Sequence, residues 1–138
     1  MKTLEEIIQT TVNRSYEELK EFAALGLQDC IQSVGKYVGK NIAAIYVLKF
    51  TATVIGADGE ISEEERRLIE DLFQEESDTF FESFSVESKE DFFEMIDTIK
   101  SFDSETQSAL CTLAITIACV DEHVNKNELS YIYSLFNS

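Results

Sequence analysis

Proline is absent from all 138 residues, and glycine occurs only five times. Proline is excluded from helix interiors but welcome in most loops. A chain without it is expected to consist of long helices joined by short connections. Cations are scarce too: 11 Lys and Arg stand against 27 Asp and Glu, a net charge of -16. Neutralising phosphates requires clustered Lys and Arg. Nucleic-acid binding is therefore not expected, and neither is electrostatic docking on anionic lipid.

Histidine occurs once, at His123, which leaves no paired-histidine site and no His-x-x-x-His. A Gly-rich phosphate loop and a Gly-x-Ser-x-Gly turn are also missing. The sequence gives no catalytic residue and no organic cofactor, and the chain is not expected to be an enzyme. Cys30, Cys111 and Cys119 are odd in number, never spaced as Cys-x-x-Cys, and set in apolar stretches. They are expected as small buried residues of a reducing compartment. The longest uncharged segment of helical character, 106–120, falls short of the roughly 20 residues a membrane span needs. Met1-Lys2-Thr3-Leu4-Glu5-Glu6 lacks the basic start and apolar run of a signal peptide. The expectation is a cytoplasmic protein with no membrane insertion.

What is present is enough apolar material, 44%, for the core of one domain. The charge is concentrated. Residues 1–57 hold six acids and six bases, residues 58–105 hold 18 acids and four bases, and the rest holds three acids and one base. The acidic stretch 58–105 is either a solvated surface that aids solubility or a face that collects a cation or a basic partner.

Periodicity places the helices. Leu4, Ile7, Ile8, Val12, Leu19, Phe22 and Ala23 share one helical stripe, and Leu27, Cys30, Ile31, Val34 and Val38 continue it. Gly35 and Gly39 form a small-x-x-x-small pair suited to a close helix approach. Residues 41–56, apolar except Lys49, predict a central and mostly buried helix. A turn follows at Ala57-Asp58-Gly59-Glu60-Ile61. Ser62 with Glu65 then forms a capping box for a helix to about Glu76.

The phenylalanines 73, 80, 81, 84, 92, 93 and 102 are expected in the core. Ser88 with Asp91 caps a helix carrying Met95, Ile96 and Ile99. Ser104 with Gln107 caps the apolar helix 105–119. A second turn, Val120-Asp121-Glu122-His123-Val124, leads to Asn125 with Glu128 as cap of the last helix.

The two turns align at an offset of 63: Asp58 with Asp121, Ser62 with Asn125, Glu65 with Glu128, Ile69 with Ile132, Phe73 with Phe136. The predicted fold is all-α, a compact helical bundle built from two pseudo-repeated helix-turn-helix hairpins plus N-terminal helices. Residues 1–40 are the amphipathic N-terminal part of the same fold, and 41–138 form the repeat-bearing domain with acidic turns at 57–65 and 120–128. An EF-hand does not fit. With Gly59 at position 6, Asp58 and Glu65 suit positions 5 and 12. Val54 and Gly56, however, stand where oxygen ligands 1 and 3 belong.

Ile55-Gly56-Ala57-Asp58-Gly59-Glu60-Ile61-Ser62-Glu63-Glu64-Glu65, with Leu68, Ile69 and Leu72 after it, resembles the signature of the TerB-like family of tellurite-resistance proteins. That family carries two such motifs. The second copy here keeps Asp121 and Glu128 and departs at Glu122 and His123. The resemblance covers about 41–138 and implies an all-helical, non-enzymatic protein of a stress-response or tellurite-resistance system. It also implies protein partners near the inner face of the membrane. Its acidic motifs imply Asp58, Glu60, Glu65, Asp121 and Glu128 as metal candidates, with His123 at the second motif's Glu position.

Two readings of these residues stand together. As scaffold, Glu65 and Glu128 close capping boxes, Asp58 bonds nearby backbone in its turn, and Glu60 and Glu63 favour a helix N-terminus. As a site, carboxylates from both turns would converge on a hard cation such as Ca²⁺ or Mg²⁺. The alternative to the metal is a metal-independent interaction module whose acidic face, 58–105, docks a basic protein.

Overall fold

The computed structural model describes residues 6, 14–56, 62–74, 76, 79, 80, 82 and 89–120, with the side chains of 53–56 and 89–93 left out of that description. Within it every regular element is a helix: α1 (Tyr16–Val38), α2 (Lys40–Gly56), α3 (Glu63–Phe73), α4 (Lys89–Lys100) and α5 (Ser104–Cys119). The all-α expectation holds. No helix among the described residues is long and apolar enough to cross a membrane.

α1 begins at a capping box the periodicity did not announce. The Ser15 hydroxyl accepts from the Glu18 amide at 3.2 Å, and Glu18 accepts from the Ser15 amide at 3.4 Å. Glu17 and Glu18 sit in the first turn and Lys36 in the last, matching the helix dipole. Gly39 ends the helix with φ +87°, a conformation that costs other residues a steric penalty. The predicted stripe is largely right: Leu19, Ala23, Leu27, Cys30 and Val34 are buried. Phe22 and Val38 are exposed instead. Leu4, Ile7, Ile8 and Val12 lie outside the described residues.

α1 packs chiefly on α5 and α2. The close approach is made at Gly26, where a Cβ would stand 3.3 Å from Leu113 Cδ1. It is not made at the expected Gly35 and Gly39. At Gly35 a Cβ would have ordinary contacts at 3.8–3.9 Å, and at Gly39 it would meet nothing within 4 Å. α5 lies deepest, with Leu110, Cys111, Leu113, Ala114, Ile115 and Ile117 buried. The buried hydroxyls of Thr51 and Thr116 donate to the carbonyls of Val47 and Thr112 at 2.9 and 2.8 Å. That back-bonding meets their hydrogen-bonding needs without a further partner.

α2 departs from expectation. Ala43, Val47 and Phe50 are buried, but Ile42 and Ile45 are 60% and 52% exposed. The helix is apolar around its circumference, and only one side faces the core. Of the phenylalanines, Phe80 is buried and stacks on Phe73 at 4.9 Å. Phe102 is buried between Tyr37, stacked at 4.6 Å, and Tyr46, edge-on at 6.2 Å. Phe81 and Phe84, and the side chains of Phe92 and Phe93, lie outside the described residues. α2 and α5 end at Gly56 and Cys119, 63 residues apart. The first turn, 57–61, and residues 121–138, where the second turn and the last helix are expected, lie outside the described residues.

The start of α5 corrects another expectation. Its cap is Asp103, not Ser104: Asp103 Oδ1 accepts from the Thr106 amide at 2.8 Å. Gln107 turns back to donate to the carbonyls of Lys100 and Phe102. Asp103 Oδ2 receives Lys36 Nζ at 3.1 Å and the Tyr37 hydroxyl at 3.0 Å, while the Asp103 amide donates to that hydroxyl at 2.8 Å. One carboxylate thus caps α5 and ties it to the end of α1, which serine could not do.

These donors, the Thr106 amide foremost, hold the Asp103 carboxyl well below the usual carboxylate range. A carboxyl whose folded pKa is depressed stabilises the fold above its unfolded value and loses that contribution as pH falls through the folded one. Asp103→Asn is therefore expected to lower the urea midpoint at neutral pH. The gap from wild type should stay constant down to about pH 4 and narrow below it. Urea titrations from neutral to acid pH check this.

Candidate functional site

Of the six candidates, Asp58, Glu60, Asp121, His123 and Glu128 lie outside the described residues. Glu65 lies inside, and its surroundings are specific. Ser62, with extended backbone, places its hydroxyl to accept from the Glu65 amide at 3.1 Å. Glu65 Oε1 accepts from the Ser62 amide at 3.1 Å and the Ser62 hydroxyl at 3.0 Å. The predicted capping box is present. Glu65 is only 7% exposed.

Comparison with Ser15 and Glu18 is informative. The same Ser-x-x-Glu geometry opens α1, outside the two acidic motifs of the sequence, with the Glu18 side chain 46% exposed and bonded to Arg14 at 2.9 Å. There Arg14, followed by the Ser15 donors, lowers the Glu18 carboxyl pKa. The box thus opens two of the described helices. Its presence at Ser62 and Glu65 does not by itself require a ligand.

α3 follows that cap and is held on α1 by a polar cluster. Leu68 and Ile69 are buried. The Tyr16 hydroxyl donates to Asp71 at 2.7 Å, and the Arg67 guanidinium lies 4.2 Å from the Tyr16 ring centroid and 3.7 Å from Asp71. A cation over an aromatic face is attracted by the ring quadrupole. Burial, then the Asp71 carboxylate, pushes the Tyr16 phenol well above its ordinary value. Gln74, in the left-handed conformation at φ 52°, ends the helix at Phe73, three residues before the expected end near Glu76. Glu63, Glu70 and Asp71 remain exposed.

An open groove of about 660 Å³ runs between α1 and α5, lined by Gly26, Ser33, Ser108 and Thr112 together with Asp29 and Glu105. It offers hydroxyls and two carboxylates. The cysteines are all free, Cys30 and Cys111 buried and Cys119 partly so. Burial pushes the thiols of Cys30 and Cys111 up to about 12 and that of Cys119 to about 11. A thiol so shifted stays protonated and is a poor nucleophile or metal ligand. Among the described residues no three His, Cys, Asp or Glu side chains gather as a metal site.

Sequence reasoning missed the Ser15 box, although Ser-x-x-Glu was there to be found. It also missed the Tyr16–Arg67–Asp71 cluster, whose members are 51 and 55 residues from Tyr16 and leave no local signal.

Because Ser62 and Glu65 close this capping box, Ser62→Ala is expected to cost about 1 kcal/mol. Glu65→Gln should cost less, because the amide oxygen still accepts from Ser62. Urea unfolding of both variants checks the order; an equal or larger loss for Glu65→Gln would point to a need for the charge itself.

A family model described as Tellurite resistance protein TerB matches residues 42–137. No curated protein and no solved structure matches the chain.

Proposed function

The chain belongs to the TerB family, and from that membership we propose that it works without catalysis, as a cytoplasmic protein-binding component of a stress-response system of the tellurite-resistance type. What supports this is the placement of carboxylates. Glu63, Glu70 and Asp71 on α3, Glu94 and Asp97 on α4, and Glu105 on α5 are exposed, while the apolar sides of these helices enter the core. An acidic surface on a packed scaffold steers and orients a basic partner more than it adds raw affinity. The three protonated thiols support the non-enzymatic reading. Any contact with the membrane comes through the partner.

A second reading adds a divalent cation, Ca²⁺ or Mg²⁺, held by Asp58, Glu60, Glu65, Asp121 and Glu128, with His123 beside them. It is favoured by the position of the Ser62 cap. α3 starts three residues after the Glu60 of Asp58-Gly59-Glu60, and Glu63, Glu64 and Glu65 fill its first turn. Carboxylates so close repel one another unless a cation joins them, and a cation that binds only the folded chain stabilises it.

One experiment separates the two. Chelator-stripped protein is melted with and without each ion, alongside the Asp58→Asn, Asp121→Asn double variant. Metal-independent docking predicts no ion-dependent shift, together with partner binding that weakens with salt and ignores chelator. A melting rise for one ion, lost in the double variant, would establish the cation reading.

A further inference from the structure

We propose that the open groove between α1 and α5 receives an extended basic segment of a partner protein, whose alternate side chains set two cations against Asp29 and Glu105. The proposal rests on the reading that the chain docks a basic protein, and it gives that docking a place.

The groove exists because short side chains meet there. Ser33 on α1 and Ser108, Ala109 and Thr112 on α5 leave an open space of about 660 Å³, within the range of ligand-binding clefts. Its polar groups are unengaged. Elsewhere the hydroxyls of Thr51, Thr98 and Thr116 donate to carbonyls of their own helix at 2.9, 3.0 and 2.8 Å. The half-buried hydroxyls of Ser33, Ser108 and Thr112 make no bond among the described residues. A hydroxyl both donates and accepts, so these three suit the amides and carbonyls of an incoming main chain.

The charge of the groove has one sign. Asp29 and Glu105 are exposed, and neither has a hydrogen bond or ion pair among the described residues. No Lys or Arg lines the groove, and Lys36, further along α1, is held by Asp103 at 3.1 Å. Two carboxylates are too few to coordinate a bare metal ion, and no third metal-binding side chain joins them among the described residues. The matching cation is a Lys or Arg side chain, Arg above all, whose planar fork fits a carboxylate.

The spacing of the acids selects an extended segment. Gly26 lies against Leu113, and Lys36 reaches Asp103, so α1 and α5 run antiparallel. In that register Glu105 lies about 7.5 Å further along the common axis than Asp29, at 1.5 Å per residue. Side chains on one face of an extended chain recur every second residue, at about 6.6 Å. A segment with basic residues at alternate positions therefore meets both acids.

Fluorescence anisotropy of a labelled short peptide with two arginines at alternate positions, titrated with the full chain in about 0.1 M salt, tests the proposal. Binding is expected. Asp29→Asn and Glu105→Gln, at exposed positions, should each weaken it about two- to fivefold, with the far-ultraviolet circular dichroism unchanged. A peptide of the same composition with its arginines adjacent should bind more weakly. Binding that survives both groove substitutions but falls for Glu94→Gln with Asp97→Asn would overturn the groove and leave basic-partner docking standing. Absence of binding by either peptide would overturn both. Spermidine bound as tightly as the alternate peptide would also overturn the proposal, since the groove would then take a free polyamine.

Discussion

The structure depends on burying one stripe of α1. Leu19, Ala23, Leu27, Cys30 and Val34 close over α2 and α5, and Gly26 allows the backbone to approach Leu113. Fully burying a Leu or Val side chain is worth roughly 1.5–3 kcal/mol, against a total stability of about 5–15 kcal/mol for a domain. The two leucines and the valine of this stripe alone are thus comparable to the whole margin. α5, buried along most of its length, can be an apolar helix in a charged chain only because α1 and α2 cover it.

Around that core, carboxylates do structural work before they do anything else. Glu18 and Glu65 close capping boxes, Asp103 caps α5 while holding Lys36 and Tyr37, and Asp71 receives Tyr16. Each satisfies backbone or phenol donors that would otherwise be left unpaired at a helix end or a helix contact. The strong acidity of the chain is therefore part fold and part surface. The exposed Glu63 and Glu70 of α3 and Glu94 and Asp97 of α4 make up the surface part.

Local signals were legible in the sequence, and tertiary ones were not. Ser62 with Glu65 could be read because a capping box is complete within four residues. The buried stripe of α1 could be read because its period is helical. The cap of α5 was placed one residue late, since what selects Asp103 over Ser104 is its reach to Lys36 and Tyr37, more than 60 residues away. The glycine that matters, Gly26, stands alone, whereas Gly35 and Gly39 make a pattern. Its role appears only when Leu113 is seen against it. The exposure of Ile42 and Ile45 was hidden for a similar reason: an apolar helix looks buried until the number of helices around it is known. Of the candidate site, the Glu65 cap was legible, and the remaining carboxylates are known by motif alone.

The family match begins at residue 42, after α1 has ended, yet α1 supplies the lid of the core. On this account the matched region does not hold its fold by itself. The most direct test is urea unfolding of a chain beginning at residue 40, followed by circular dichroism beside the full chain. The account predicts that the cooperative transition is lost and helical signal falls by more than the share of the missing helix. A cooperative transition with the full chain's midpoint would contradict it.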